Sequence, residues 1–494
     1  MKSAIRASAV LGVSSGVSAI FGLITAKASA AFLGPAGVGL VGLLQALLSL
    51  AQLVGGLGIS ASLVRFGAPA AAREDFEEVA LLRRAGWVIV TASAVSVSVI
   101  LCLGRHWIAA RTLGIGRTNY VLWVAATLFF SLGFTLYLGV VNAHHQVQSL
   151  ATLSILSSAG GCMCAVIFYW LQRERAIPVV MLASAIVQFV IAWAIACRLP
   201  RANKRPALLK VYDRVGTLVR FGIPYTASAL AGSGAQLVLP IAILALLNTR
   251  SVGYFRASFT FSTSYLGLVL VAMAQDYFPR LSASGKDDDR INQIVNEQFR
   301  LLMMLGVPLV LMALACAPQV VTLVYSKKFM PAVAVLQWQL LGDLFKFAAW
   351  TMTFAVLARA PSTWFLLMEI CGGGALLASI AYSIRRWGLP GIGIGYLVAY
   401  VLYTVIAALT LRRFVNFRIS NRNLVLFGVA LAFALLIRIL VRFNFAGTGI
   451  SLGVIPALVY CAFSCWILIR EVSIWPRRLN FRKLAARKAN NNGN

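Results

Sequence analysis

No aspartate or glutamate falls within any of the first six apolar runs of this 494-residue chain. The whole chain has 14 acids against 44 lysines and arginines. A cavity that attracts organic cations needs buried carboxylates, so the N-terminal part is poorly suited to one. Histidines number three (His106, His144 and His145), near run ends and without the spacing of a catalytic triad or metal site. The eight cysteines form no CxxC pair with a histidine partner, so they read as small packing residues. The phosphate-binding loop of ATPases is missing, which argues against ATP hydrolysis on this chain. Together these gaps predict no enzyme, no catalytic residues, no metal and no other cofactor.

What is plentiful is apolar surface. Hydrophobic residues make up 60% of the chain and charged ones 12%, with a mean hydropathy of +0.85. Apolar runs of about 20 residues, each long enough to cross the hydrocarbon layer as a helix, recur from end to end. Only helices and closed barrels satisfy their backbone in lipid, and these runs are continuous rather than alternating. The expected class is an all-α polytopic membrane protein with about 14 transmembrane helices. Residues 1–200 hold spans 1–6, 221–415 hold spans 7–12 and 416–472 hold spans 13–14. Residues 201–220 form a basic amphipathic linker, and 473–494 a basic cytoplasmic tail. The opening MKSAIRASAVLGVSSGVSAIFGLITAKASA resembles a signal peptide, but its apolar stretch is long and another span follows it. It reads as an uncleaved first helix.

With the N-terminus inside, loops on the cytoplasmic side carry more than twice the lysines and arginines of the opposite side. That bias predicts cytoplasmic N- and C-termini. The net charge of +30 is spread over these loops instead of forming one stripe, so nucleic acid is not an expected partner.

Ionisable residues inside the spans are the informative ones, since each costs at least about 2.5–3.5 kcal/mol at the bilayer centre unless paired or hydrated. Lys27 lies in GLITAKASAAFLGP, among small residues, as either a snorkelling lysine or a cavity cation. Arg256 opens span 8 and is followed by Ser258, Thr260, Ser262, Thr263 and Ser264, a polar flank that suggests a wet cavity wall. At the inner end of that span Asp276 and Arg280 are spaced to pair; Arg280 is also a candidate contact for substrate. Gln339, Asp343, Lys346 and Trp350 share one face of span 10. Asp343 and Lys346 either neutralise each other or form a gate or coupling site. Glu369, before Gly372-Gly373-Gly374, is a second coupling carboxylate or a partner for Lys346. Two landmarks also repeat: Val38-Gly39 and Val252-Gly253 stand 214 residues apart, as expected for a duplicated six-helix unit.

Three stretches carry a family likeness. KASAAFLGPAGVGLVGLLQALLSLAQLVGGLGIS, VGYFRASFTFSTSYLGLVLVAMAQDYFPRLSA with the later INQIVNEQ, and FMPAVAVLQWQLLGDLFKFAAW resemble bacterial O-antigen flippases. These are polysaccharide-transport proteins of the superfamily that includes multidrug MATE exporters and the peptidoglycan-precursor flippase. The resemblance implies two six-helix lobes in a V around a central cavity, with two C-terminal helices added. It implies an undecaprenyl-pyrophosphate-linked oligosaccharide as cargo, moved from the cytoplasmic to the periplasmic leaflet of the bacterial inner membrane. Cavity cations on helices 1, 2 and 8 would then be Lys27 and Arg256, with Gln45 and Gln52 on helix 2 and Arg65 at its mouth. Membrane lipids, coupling protons or sodium, a polysaccharide polymerase and a chain-length regulator are the further partners implied. Trp338, Tyr265 and Phe261 are aromatics able to stack on sugars. The alternative is a MATE-like cation-coupled exporter of small molecules. A membrane glycosyltransferase or polymerase is disfavoured, because the outer loops are short.

Overall fold

The structure, a computed structural model, describes residues 2–114, 116–200, 208–272, 277–285, 287–443 and 452–470. Every regular element among them is helical. In chain order these are α1 (Lys2–Gly56), α2 (Ile59–Ala72), α3 (Phe76–Leu103), α4 (Arg105–Thr112), α5 (Thr118–Ala143) and α6 (Val147–Gln172). A 3₁₀ turn (Arg173–Ala176) precedes α7 (Ile177–Ala196), α8 (Leu208–Leu246) and α9 (Thr249–Ala272). Then come α10 (Phe278–Ala283), α11 (Asp288–Ala315), α12 (Ala317–Val324), α13 (Pro331–Arg359), α14 (Ser362–Trp387), α15 (Pro390–Phe414) and α16 (Asn421–Phe443). A shorter apolar helix, α17, covers Val454–Arg470.

Ten stretches among the described residues are long and apolar enough to cross a membrane. The chain is therefore a multi-pass, all-α membrane protein. Ten is fewer than the 14 spans suggested by the apolar runs, and the helices show why. Gly12–Gly56, at 45 residues, and Val147–Ala196, at 50, are each one stretch about twice the length of a single crossing. The Ser/Thr-bearing α9 and the short α17 are not among the ten.

Local sequence explains the breaks. Within α1, Gly34 has φ 66° and ψ −173°, a backbone geometry that glycine adopts without steric cost, and Pro35 then restarts the helix. Two helices also share a start: Asp75 caps α3 by accepting from the Glu78 N–H, and Asp287 caps α11 by accepting from the Arg290 N–H, each at 3.0 Å. Acids follow each cap in the first turn, where the helix dipole favours them. Of the basic amphipathic linker at 201–220, residues 208–220 are helical and run straight into the apolar part of α8, and 201–207 lie outside the described residues.

The chain packs as two compact units. The first comprises residues 1–260, 321–335 and 369–395, and the second 261–320, 336–368 and 396–494. In the first, α1 packs on α6, α5 packs on α2, α3 and α7, and α8 lies along α1 and α3. Leu128, Leu132 and Leu136 of α5 are fully buried. Trp87 meets Tyr137 and Phe189 edge-on at 5.6 and 6.0 Å. Arg214 near the start of α8 pairs with Glu78 of α3 at 2.8 Å, tying the cationic end of that helix down.

The repeated landmarks meet each other. A Cβ on Gly39 of α1 would run into the Thr249 carbonyl and lie 3.0 Å from the Gly253 nitrogen of α9. A Cβ on Gly253 would run into the Pro35 carbonyl and lie 3.1 Å from the Gly39 nitrogen. The two glycines thus form a reciprocal backbone-on-backbone crossing, the close approach that small residues permit in membrane helices.

In the second unit α11 packs on α16. Asn296 of α11 donates to the Arg418 carbonyl, and Asn423 of α16 donates to the Asn296 carbonyl, both at 2.9 Å. Gly306 of α11 leaves room for the ring of Phe347 on α13, which a Cβ would meet at 2.9 Å.

Gly39→Ala and Gly253→Ala are expected to force the two helices apart and to destabilise the fold by about 1–3 kcal/mol each. Gly428→Ala, where a Cβ meets nothing within 4 Å, is expected to be neutral. Thermal unfolding of the three purified variants in detergent checks this.

Candidate functional site

The polar face of α13 is buried rather than wet. Gln339 and Asp343 are 0% exposed and Lys346 is 4% exposed. Asp343 accepts from Ser262 Oγ at 2.6 Å and from the Tyr396 hydroxyl at 2.8 Å. The same hydroxyl accepts from Lys346 Nζ at 3.1 Å. Tyr396 therefore joins acid and base in a single chain of hydrogen bonds. The ammonium also lies 4.9 Å from the ring centre of Tyr400 and 5.1 Å from that of Trp350, a cation–π arrangement. Gly342 makes this possible, because a Cβ there would meet Tyr396 Cδ1 at 2.7 Å. The Gly-Asp pair of WQLLGD thus has a division of labour: the glycine admits the ring and the aspartate binds its hydroxyl. The Gln339 amide, one turn earlier, has no hydrogen-bond partner at either end among the described residues.

Neither Ser262 nor Tyr396 stands out in sequence as part of this network. Ser262 belongs to the polar flank read as a wet wall, yet it and Ser258 are fully buried. Ser258 satisfies itself on the Phe255 carbonyl of its own helix. Tyr396 sits in an apolar helix where the one available signal is the spacing of Tyr396, Tyr400 and Tyr403, which places them on one face. Ser264 and Tyr265 lie outside the residues whose side chains are described, and Asp276 lies outside the described residues.

The cations of the first unit are placed differently. Arg256 of α9 is half-buried, and its stem lies over Gly42 of α1, where a Cβ would meet Cδ at 2.9 Å. Tyr169 of α6 and Tyr325, both buried, are its electrostatic neighbours. Lys27 is exposed and donates through Nζ to the Leu323 carbonyl, in the last turn of α12. Carbonyls there have no partner within the helix, and the dipole favours a cation. Gln45 is exposed and Gln52 half-buried. Arg65 is exposed and its guanidinium stacks on Phe221 of α8 at 4.4 Å. Glu369 lies beside α8, its Oε2 3.7 Å from a Cβ built on Gly232.

In the second unit Arg280 pairs with Glu297 of α11 at 2.9 Å. Arg438 lies 3.5 Å over the ring of Trp338. Phe261 is half-buried.

The sequence profile described as "Polysaccharide biosynthesis protein" matches residues 30–334, more than half of the chain. The chain belongs to this polysaccharide biosynthesis family. That range takes in both members of the glycine crossing, together with Arg256 and Ser262. A relative of this family member is the Lipid III flippase of Escherichia coli (strain K12), 23% identical over 402 residues, which cover 77% of this chain and 92% of the relative. The Lipid III flippase of Shigella flexneri matches to the same extent. Among solved structures, the fold is similar to "Lipid II flippase MurJ, inward closed conformation", with TM-score 0.70 and 11% identity. That match covers 95% of this chain and 99% of the other. An inward-facing multidrug resistance MATE family transporter matches with TM-score 0.68 and 16% identity, over 83% of this chain and 95% of the other. At such identities these two structures establish the fold of the family member and nothing finer.

Tyr396→Phe removes the bridging hydroxyl and is expected to cost about 1–3 kcal/mol, since it strips a partner from two buried charged groups. Combined with Asp343→Asn, the loss is expected to be non-additive by about 0.5–3 kcal/mol. Denaturant unfolding of both single variants and the double variant tests the coupling; an additive cycle would show that the network does not act as a unit.

Proposed function

We propose that this chain translocates an undecaprenyl-pyrophosphate-linked oligosaccharide from the cytoplasmic to the periplasmic leaflet of a bacterial inner membrane, by alternating access. The cargo is the repeat unit of an O-antigen or related surface polysaccharide. The observation that carries this reading is the pair of membrane cations set against acid-free helices: Arg256 of α9 seated over Gly42 of α1, and Lys27 of α1 on the Leu323 carbonyl, with no aspartate or glutamate in spans 1–6. Guanidinium and ammonium groups select phosphate oxygens, and spans 1–6 bring no carboxylate to compete for them. Family membership and the long match to the Lipid III flippases support the same reading.

In this scheme Lys27, Arg256, Arg65 and Arg280 contact the pyrophosphate along its route, and Gln45 and Gln52 contact the glycan. Asp343 and Lys346, with Asp276 and Glu369, gate or couple the transition to protons or sodium. No bond of the cargo is made or broken, so the chain is a transporter and not an enzyme. Its termini lie in the cytoplasm, and a polymerase and chain-length regulator receive its product. The reading as an exporter of small cations is less supported, because spans 1–6 carry no carboxylate to receive such a substrate.

A strain lacking this chain is expected to accumulate lipid-linked glycan in the inner leaflet and to lose surface glycan. Complementation with the Lys27→Ala, Arg256→Ala double variant is expected to restore surface glycan to roughly a tenth of wild type or less, at equal membrane abundance. Absence of inner-leaflet accumulation, or full restoration by the double variant, would overturn the reading. The measurements are leaflet-resolved lipid-linked glycan and surface glycan on gels.

A further inference from the structure

Within the second unit, α11, α13, α15 and α16 enclose a cavity of about 190 Å³. Its walls are apolar, formed by Phe299, Phe345, Met352, Ala408 and Phe427 among others. The rings of Phe345 and Phe427 meet edge-on at 5.1 Å. Three polar side chains reach it: Asn296, Thr404 and Arg412. Two of them are already satisfied. The Asn296 amide donates to the Asn292 and Arg418 carbonyls and accepts from the Ser420 N–H and Asn423 Nδ2. Thr404 donates to the Phe345 and Tyr400 carbonyls. Arg412 is exposed and has no hydrogen-bond, ion-pair or ring partner among the described residues. Two neighbouring cations are engaged: Arg413 stacks on Trp364 at 4.7 Å, and Arg300 reaches Asn423 Oδ1 at 3.4 Å.

We propose that this cavity binds one anionic glycerophospholipid of the surrounding membrane, with part of an acyl chain in the cavity and its phosphate on the Arg412 guanidinium. The cavity lies in a membrane protein, so chain termini of lipids are the apolar groups at hand. Methylene groups seated in it gain dispersion contacts with the apolar lining. Arg412 lines the cavity and is exposed, and the long aliphatic stem of an arginine lets the charged head extend from an apolar wall toward a phosphate. A guanidinium presents paired donors that match phosphate oxygens. Arg418, exposed on the following loop, adds positive potential that favours an anionic over a zwitterionic headgroup. A polyprenyl pyrophosphate is the poorer occupant, because its chain is far longer than the cavity holds.

The test is native mass spectrometry of the delipidated full chain in detergent, titrated with phosphatidylglycerol or phosphatidylcholine of identical acyl chains. Wild type is expected to retain phosphatidylglycerol roughly five- to tenfold better. Arg412→Gln, at an exposed position that the fold does not depend on, is expected to bring the two lipids to near equality. Ala408→Phe, which fills the cavity, is expected to lower retention of both; should that variant fail to fold, Arg412→Gln decides alone. Equal retention by wild type, or an unchanged preference in Arg412→Gln, would overturn the proposal. So would displacement of phosphatidylglycerol by equimolar undecaprenyl phosphate with the same Arg412 dependence, which would assign the cavity to a polyprenyl tail.

Discussion

A charged side chain in a helix bundle bordered by lipid has to find its partner inside the protein, because hydrocarbon offers none. The placement of the key residues follows from that constraint. Asp343 and Lys346 sit three residues apart on α13, and both are essentially inaccessible. Each alone would be a large destabilising element. A tyrosine hydroxyl that accepts from the base and donates to the acid joins them, and aromatic rings surround the ammonium. Lys27 follows the same logic in the first unit, where the end of α12 supplies a carbonyl.

Partners of this kind have to be brought within hydrogen-bond distance, and small residues do that. Gly342 admits the Tyr396 ring to α13, and Gly42 admits the Arg256 stem to α1. The reciprocal crossing of Gly39 and Gly253 does the same for backbones. Between membrane helices there is little hydrophobic driving force, so close van der Waals contact carries much of the association. The residues that look least informative in sequence therefore set the geometry on which the ionisable ones depend.

Much of this is legible in the amino-acid sequence. Helical class and membrane residence follow from run length and hydropathy, because lipid leaves the backbone few options. The shared face of Gln339, Asp343 and Lys346 follows from helical period alone. The landmarks Val38-Gly39 and Val252-Gly253 are visible as a repeat, but nothing in their spacing says that they touch. Likewise the serines after Arg256 look like a wet wall in sequence. A hydroxyl can face water, bond its own helix or cap a carboxylate on another, and composition does not separate these cases. Ser258 and Ser262 take the second and third options.

For this protein, sequence by itself determined the class of fold, the membrane as solvent, the scarcity of acids and the helix face on which α13 gathers its polar groups. Each is a property of one segment and its solvent. Only the tertiary structure decided that Tyr396 mediates between Asp343 and Lys346 and that Lys27 bonds the end of α12. It also decided that, of the polar side chains lining the second unit's cavity, Arg412 is the one without a partner among the described residues. Those outcomes depend on which helices approach one another and how closely. That is a matter of packing between segments far apart in the chain, and no local pattern encodes it.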